Sequence, residues 1–129
     1  MAEALLRSVT HEKIDTFSAG TDPRPLHPLA VKAMAEIGID ISANRTKHLD
    51  EYLDQKFDFV ISVCARAAQQ CPKWPDSREQ IRWSLDDPSA AVGTEEERLA
   101  VFRRVRVELR HRLALFVLAN KLAPELRLR

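Results

Sequence analysis

The hydrophobic pattern over residues 94–116 predicts a long amphipathic helix. Thr94 with Glu97 three residues later forms a capping box, a common start for a helix. Three glutamates open the segment and a run of arginines follows, an order that complements the helix dipole. We expect the arginines to lie on a solvated face and the apolar residues to form one buried stripe, namely Leu99, Phe102, Val105, Leu109, Leu113 and Phe116.

Shorter helices are predicted earlier in the chain. Apolar residues at helical spacing indicate helices over residues 2–9 and 28–37. Gly38 is placed to end the second of these as a left-handed cap. A further short helical stretch is expected at residues 49–53.

Three segments have the pattern of strands. Ile14–Ser18 alternates apolar and polar residues, and Ile81–Leu85 is a second short candidate. The dense β-branched and aromatic run Phe57–Val63 is typical of a strand buried on both faces of a parallel sheet. Alternating strands and helices predict one α/β domain over residues 1–129.

Composition narrows the class of protein. The 129 residues are 45% hydrophobic and 30% charged, with a formal net charge of +1. With this balance the protein has no overall electrostatic field that would attract nucleic acid or an anionic membrane. The arginine run also lacks interleaved aromatic residues on which bases could stack. No stretch approaches the roughly 18 apolar residues of a membrane span. We therefore expect a soluble, cytoplasmic protein that binds neither nucleic acid nor membrane.

Cys64 and Cys71 are the two cysteines of the chain. We expect a helix from Cys64 to Gln70 that ends at Cys71-Pro72, because a residue before proline is disfavoured in the α conformation. On one helix the two thiols would stand about 10 Å apart, so a disulfide would require the segment to unwind. Inert core thiols, metal ligands and a conditional disulfide all remain open, although no histidine shows ligand spacing with either cysteine.

Asp87 directly follows a predicted strand, in the sequence Asp86-Asp87-Pro88. In parallel α/β folds this places it at the carboxyl edge of the sheet, where ligands bind. A carboxylic acid there could protonate a leaving oxygen. The alternative is a plain Asp-Pro turn in which the side chain caps the next segment.

Several stretches together resemble a known family. MAEALL at residues 1–6, FSAGT at residues 17–21 and GIDIS at residues 38–42 are similar in order and spacing to the low-molecular-weight tyrosine phosphatase superfamily. The cysteine pair, Trp83-Ser84 before Asp87-Pro88 and GTEEE at residues 93–97 resemble its thiol-dependent arsenate reductase branch. The resemblance implies a flavodoxin-like three-layer α/β domain with a small parallel sheet of order 2-1-3-4.

The resemblance also implies a chemistry. A nucleophilic cysteine in a C-x5-R loop attacks arsenate, a second cysteine attacks the first, and a third closes a disulfide on the second. Cys64 and Cys71 match the second and third cysteines, and Asp87 matches the acid that protonates the leaving oxygen. The implied partners are arsenate or a phosphate-like oxyanion and a thioredoxin-like electron donor, and no cofactor is implied.

One departure from the family is the absence of C-x5-R from the printed sequence. In relatives this loop and the first, central strand precede the stretch that matches MAEALL. We expect a mis-set start at Met1, with a decayed gene or a partner chain that supplies the missing part as alternatives. The other functions left open are a non-catalytic redox binding module and a tyrosine phosphatase.

A second departure concerns a potassium site that some members of the resembled family build with an acidic residue. Glu3 and Ser18 match two positions of that site, and Lys47 stands where the acidic residue would be. The lysine ammonium could replace the cation, or Lys47 could be an ordinary solvated side chain.

Overall fold

A computed structural model of the chain describes residues 1–21, 24–64 and 77–122, and for Cys64 it describes the backbone only. The chain divides into two compact units. One contains Met1–Ser18, Leu26–Asn44 and Pro88–Arg129, and the other contains Ala19–Pro25 and Arg45–Asp87. The expectation of a single domain stays a prediction.

The described residues of the first unit contain three α-helices: α1 (Ala2–Val9), α2 (Pro28–Ala35) and α3 (Glu95–Ala119). Helix α3 packs against both α1 and α2. All six residues of the predicted stripe are buried, which confirms the amphipathic helix. Apolar side chains of the shorter helices and of the segment after α2 are buried as well, namely Leu5, Leu29, Ala30, Ala33, Met34 and Ile41.

The start of α3 contains the Thr94 half of the predicted capping box, and the Glu97 carboxylate accepts from the Thr94 hydroxyl. The Oγ1 atom of Thr94 accepts a hydrogen bond from the Glu97 N–H at 3.1 Å and donates one to the Glu97 carboxylate at 3.1 Å. The Thr94 hydroxyl is thereby hydrogen-bonded to both the backbone N–H and the carboxylate of Glu97. Gly93 precedes the cap with φ of +115°, a backbone conformation in which a side chain would be strained.

Helix α2 has a polar start and a glycine end. His27 accepts a hydrogen bond from the Leu29 N–H through Nδ1 at 3.1 Å, and its ring lies 4.8 Å from that of Phe102. After the helix, Gly38 has φ of +80°, and the Ile39 N–H bonds back to the Met34 carbonyl at 3.0 Å. This is the predicted left-handed glycine cap.

The arginine face of α3 is not simply solvated, which corrects the prediction for two of its members. Arg103 and Arg106 both bond the carboxylate of Glu36, just beyond α2. Arg106 also donates to the Ala33 carbonyl at 2.6 Å. The Arg103 hydrogen bond, with a smaller contribution from Arg106, lowers the pKa of Glu36 to about 2. The guanidinium groups of Arg103 and Arg106 therefore join α3 to the end of α2. Arg106 also pairs with the Ala33 carbonyl, which lies in the last turn of α2.

Where the second unit is described, its sheet contains two parallel strands: β1 (Phe59–Cys64) and β2 (Glu79–Leu85). A one-turn 3-10 helix, Leu49–Tyr52, precedes them as predicted. The expectation that both faces of β1 are buried is wrong, because its apolar residues from Phe59 to Val63 are half-exposed and only Ser62 is buried. Within the described ranges β1 pairs along one edge only, so it is covered less than a central strand.

The strand predicted at Ile14–Ser18 is wrong for a similar reason. The segment forms no ladder, and the described residues beside it contribute one isolated bridge, between Gly20 and His48. The Thr16 carbonyl is instead bonded by the Arg7 guanidinium at 3.0 Å. A local alternation of residues cannot supply the neighbouring strand that a ladder needs.

None of the helices in the described part of the chain has the length and apolar character that a membrane span requires.

Candidate active site

The carboxyl ends of β1 and β2 meet at one edge of the sheet. Cys64, the last residue of β1, is the register partner of Leu85, the last residue of β2. Because the strands are parallel, the chain leaves both strands at the same edge. Asp86 and Asp87 follow Leu85 directly. The structure therefore brings the backbone of Cys64 and the Asp86-Asp87 pair to one edge, as expected for a ligand site in an α/β fold.

The ladder between these strands contains a bulge. Ser62 is paired with Arg82, but Cys64 is paired with Leu85, so β2 advances three residues while β1 advances two. The extra residue lies in the Trp83-Ser84 step. Without it, Ser84 would stand opposite Cys64 and the buried Leu85 would fall on the other face. Bulges of this kind occur near active sites because they redirect the side chains that follow.

The structure tests the predictions for Cys64 and leaves those for Cys71 untested. Cys64 ends a strand and does not begin a helix, which corrects the prediction of helix from Cys64 to Gln70 at its first residue. The cause is the ladder with β2, which holds Cys64 in extended backbone through its pairing with Leu85. Residues 65–70 of that predicted helix, and Cys71 with Pro72, lie outside the described residues. The assignment of both cysteines to a relay stays a prediction.

Asp87 lies between β2 and a one-turn 3-10 helix, Pro88–Ala90. Its side chain and that of Asp86 are exposed. The proline fixes the backbone for a turn, and the Ala91 N–H closes this turn on the Pro88 carbonyl at 3.2 Å. Both sequence interpretations of Asp87, a turn residue and an acid at the sheet edge, are compatible with this position.

The three residues of the predicted cation site belong to three different segments of the chain. Glu3 is on α1, its side chain is only 10% exposed, and its Oε1 atom is 3.8 Å from Nη2 of Arg7. Ser18 is exposed at the end of the extended segment after α1. Lys47 belongs to the other unit, where its carbonyl accepts a hydrogen bond from the Gly20 N–H at 2.9 Å. Among the side chains that are described, no three from histidine, cysteine, aspartate and glutamate cluster as metal ligands.

Sequence reasoning missed Ser62. This residue is 4% exposed, and its Oγ atom has no hydrogen-bond partner among the described residues. The available signal was one serine inside the otherwise apolar run Phe59–Val63. A polar residue at a strand position that a parallel sheet buries requires an explanation, because an unpaired buried hydroxyl is unfavourable.

Comparison with known proteins places this geometry in a family. Residues 1–127 match the family described as low molecular weight phosphotyrosine protein phosphatase. The chain is 44% identical over 121 residues to an arsenate reductase of Halalkalibacterium halodurans, an alignment that covers 94% of this chain and 87% of the relative. An arsenate reductase of Bacillus subtilis is 40% identical with the same coverage.

Solved structures give the same result. An arsenate reductase in its oxidized state superposes with a TM-score of 0.78 at 29% identity, covering 95% of this chain and 87% of the other. An arsenate reductase in its phosphate-binding state gives a TM-score of 0.75 at 29% identity, covering 92% and 86%. The predicted α/β class with a parallel sheet is thereby confirmed. The family match over nearly the whole chain and the identity to these relatives show that the chain belongs to the low-molecular-weight phosphotyrosine protein phosphatase family.

Proposed function

We propose that this protein reduces arsenate to arsenite through a cysteine relay in which Cys64 and Cys71 are the second and third thiols. The observation that carries this proposal is the pairing of Cys64 with Leu85, which sets Cys64 and the Asp86-Asp87 pair at one sheet edge. Relatives named arsenate reductases, 40–44% identical, support the reaction. A related structure in a phosphate-binding state supports recognition of a tetrahedral oxyanion.

The relay has balanced steps. A first thiolate displaces one hydroxyl group of arsenate, and Asp87 protonates that hydroxyl so that it leaves as water. The Cys64 thiolate attacks the first sulfur, an S–S bond forms, the S–As bond breaks, and its electron pair reduces As(V) to As(III), which departs as arsenite. Cys71 then attacks the Cys64 sulfur and releases the first thiol. Two thiols have been oxidised to one disulfide.

Neither Cys64 nor Cys71 is assigned as the first thiol of this relay. The residue six places after Cys64 is Gln70, and the residue six places after Cys71 is Ser77. Neither segment therefore contains the arginine that a C-x5-R loop uses to hold a dianion. This supports the assignment of both cysteines to the later steps.

Regeneration needs a dithiol donor. We assign this role to a thioredoxin-like protein, because attack by a low-pKa thiolate on the Cys64–Cys71 disulfide returns both thiols. A cytoplasmic location fits this assignment, since a reducing compartment keeps a transient disulfide reducible.

The test is arsenate-dependent oxidation of thioredoxin, followed with thioredoxin reductase and NADPH. It is run on the printed chain and on a form extended in frame from the DNA upstream of Met1, each with Cys64→Ser and Cys71→Ser variants. In the form that carries the first thiol, we expect arsenate-dependent turnover. Either serine variant of that form should abolish this turnover. Turnover that persists in both variants would contradict the relay. Hydrolysis of p-nitrophenyl phosphate without arsenate reduction would assign the protein to the phosphatases of its family.

A further inference from the structure

His27 is the N-cap residue of α2, and three contacts fix its ring. The Nδ1 atom accepts a hydrogen bond from the Leu29 N–H at 3.1 Å, and the ring centroid lies 4.8 Å from that of Phe102. The Nε2 atom is 3.3 Å from Nη2 of Arg98. Arg98 and Phe102 are four residues apart on α3 and therefore share a face of that helix. Residues of both helices thus set the orientation of the imidazole toward Arg98.

The contact between His27 and Arg98 has two donors and no acceptor. A neutral imidazole has one N–H group and one acceptor nitrogen. The bond from Leu29 uses Nδ1 as the acceptor, so the proton of the neutral ring lies on Nε2. The guanidinium of Arg98 has N–H donors and no acceptor at all. Two donors therefore stand 3.3 Å apart, where neither can satisfy the other.

The charge of Arg98 is not balanced by a carboxylate in the described part of the chain. The guanidinium is partly buried, and in the described ranges no aspartate or glutamate forms an ion pair with it. Glu96 and Glu97 are bonded to other residues of α3 and its cap, and Glu95 is exposed to solvent. A partly buried cation without an anion is unfavourable. The acceptor that both His27 and Arg98 require is therefore an anion.

We propose that His27 and Arg98 form a binding site for a small tetrahedral oxyanion such as inorganic phosphate. A guanidinium presents two parallel N–H groups to two oxygens of such an ion. The imidazole N–H can donate to a third oxygen, which a carboxylate does not have. The backbone N–H groups at the start of α2 take no part, because those of Leu29 and Ala30 already bond His27. The site includes neither cysteine of the relay nor Asp87, so it is independent of the proposed function.

The first measurement determines the tautomer of His27 by NMR of the ring nitrogens in the full chain, at about pH 8, where a free imidazole is neutral. The His27→Asn variant assigns the signals, and asparagine keeps an N-cap acceptor so that α2 can form. We expect the proton on Nε2 both in chloride buffer and in phosphate buffer. A proton on Nδ1 would let Nε2 accept from Arg98, and no acceptor would then be missing. That result would overturn the proposal.

The second measurement is a titration with inorganic phosphate, in which sodium chloride holds the ionic strength constant and the His27 ring signals are followed. We expect a saturable shift of these signals. Arg98→Gln should weaken phosphate binding about tenfold or more, and Arg98→Lys, which keeps the charge and loses the fork, should weaken it as well. Arg110→Gln is the matched control, because Arg110 is an exposed arginine of the same helix, and it should leave the affinity unchanged.

Acetate is titrated in the same way and should bind more weakly than phosphate, because it is a carboxylate with two oxygens. The absence of a saturable shift, or an equal affinity for acetate, would overturn the proposal. Equal weakening by Arg98→Gln and Arg110→Gln would indicate adventitious binding of an ion to the arginine face and would also overturn it. Neither measurement requires arsenate turnover, so failure of the arsenate assay and failure of this inference are separate results.

Discussion

Arg103 holds Glu36 with three hydrogen bonds: its Nε atom is 3.0 and 3.1 Å from the two carboxylate oxygens, and its Nη2 atom is 2.6 Å from Oε2. The contact joins the long helix α3 to the residue that follows α2. It joins residues 67 positions apart in the sequence, so it forms only when the helical unit has folded.

This contact predicts a dependence of stability on pH. The pKa of Glu36 falls from its ordinary 4.5 to about 2 in the folded protein. A depressed folded pKa contributes stability above pH 4.5, and this contribution is lost as the pH falls from about 4.5 to about 2. We expect Glu36→Gln to lower the urea midpoint near neutral pH and to flatten its pH dependence in that window. Glu96→Gln is the control, because Glu96 reaches Arg103 by one bond of 3.3 Å. Equal effects of the two variants would contradict the prediction.

The cap of α3 gives a second prediction. Thr94→Ala removes the acceptor of the Glu97 N–H and should destabilise the protein by about 1 kcal/mol in urea unfolding. Thr94→Ser keeps a hydroxyl at the same position and should recover most of this loss. If serine and alanine are equally destabilising, the hydroxyl is not the stabilising group.

The two left-handed glycines should respond differently to alanine. A Cβ atom at Gly38 would meet nothing within 4 Å, so Gly38→Ala should cost only backbone strain, about 1 kcal/mol. A Cβ atom at Gly93 would lie 2.9 Å from the Glu97 carboxylate, which closes the α3 cap. We therefore expect Gly93→Ala to be the more destabilising of the two in thermal unfolding. If Gly38→Ala is the more destabilising variant, the Glu97 side chain moves away from the new Cβ atom at little cost in free energy.

The acid role of Asp87 can be tested against its neighbour. Asp86 and Asp87 are both exposed and adjacent, so replacing either by asparagine changes the charge equally. In a form that reduces arsenate, Asp87→Asn should lower kcat about 100-fold, the effect expected for loss of a general acid. Asp86→Asn should leave kcat nearly unchanged. Similar losses in both variants would indicate a shared electrostatic effect and no specific acid.

The elements that the sequence predicted well are those whose cause is local. The Thr94 N-cap and apolar stripe of α3, and the glycine end of α2, depend on residues a few positions apart, and each was found as expected. The strand at Ile14–Ser18 failed because a strand also needs a distant neighbour. The bond between Glu36 and Arg103 and the register of Cys64 with Leu85 likewise join distant residues. Charge and hydrophobicity along the chain do not encode such pairs.

The candidate site was only partly predictable for the same reason. The Cys64, Cys71 and Asp87 positions came from spacing and family resemblance, and their chemistry stays a prediction. The bulge that sets Leu85 opposite Cys64 could not be read from the sequence, because it depends on how two strands pair. Ser62 looked like an ordinary strand residue until its burial was known.

The extra residue of β2 makes this edge tolerant of one change in chain length and sensitive to another. Deleting Trp83 or Ser84 would leave a regular ladder in which Leu85 still pairs with Cys64, so Asp86 and Asp87 would keep their places at the edge. A deletion after Leu85 would find no such extra residue to absorb it, and loss of Asp86 would bring Pro88 to the position of Asp87. We therefore expect natural variation in length within the Trp83-Ser84 step and not between Leu85 and Pro88.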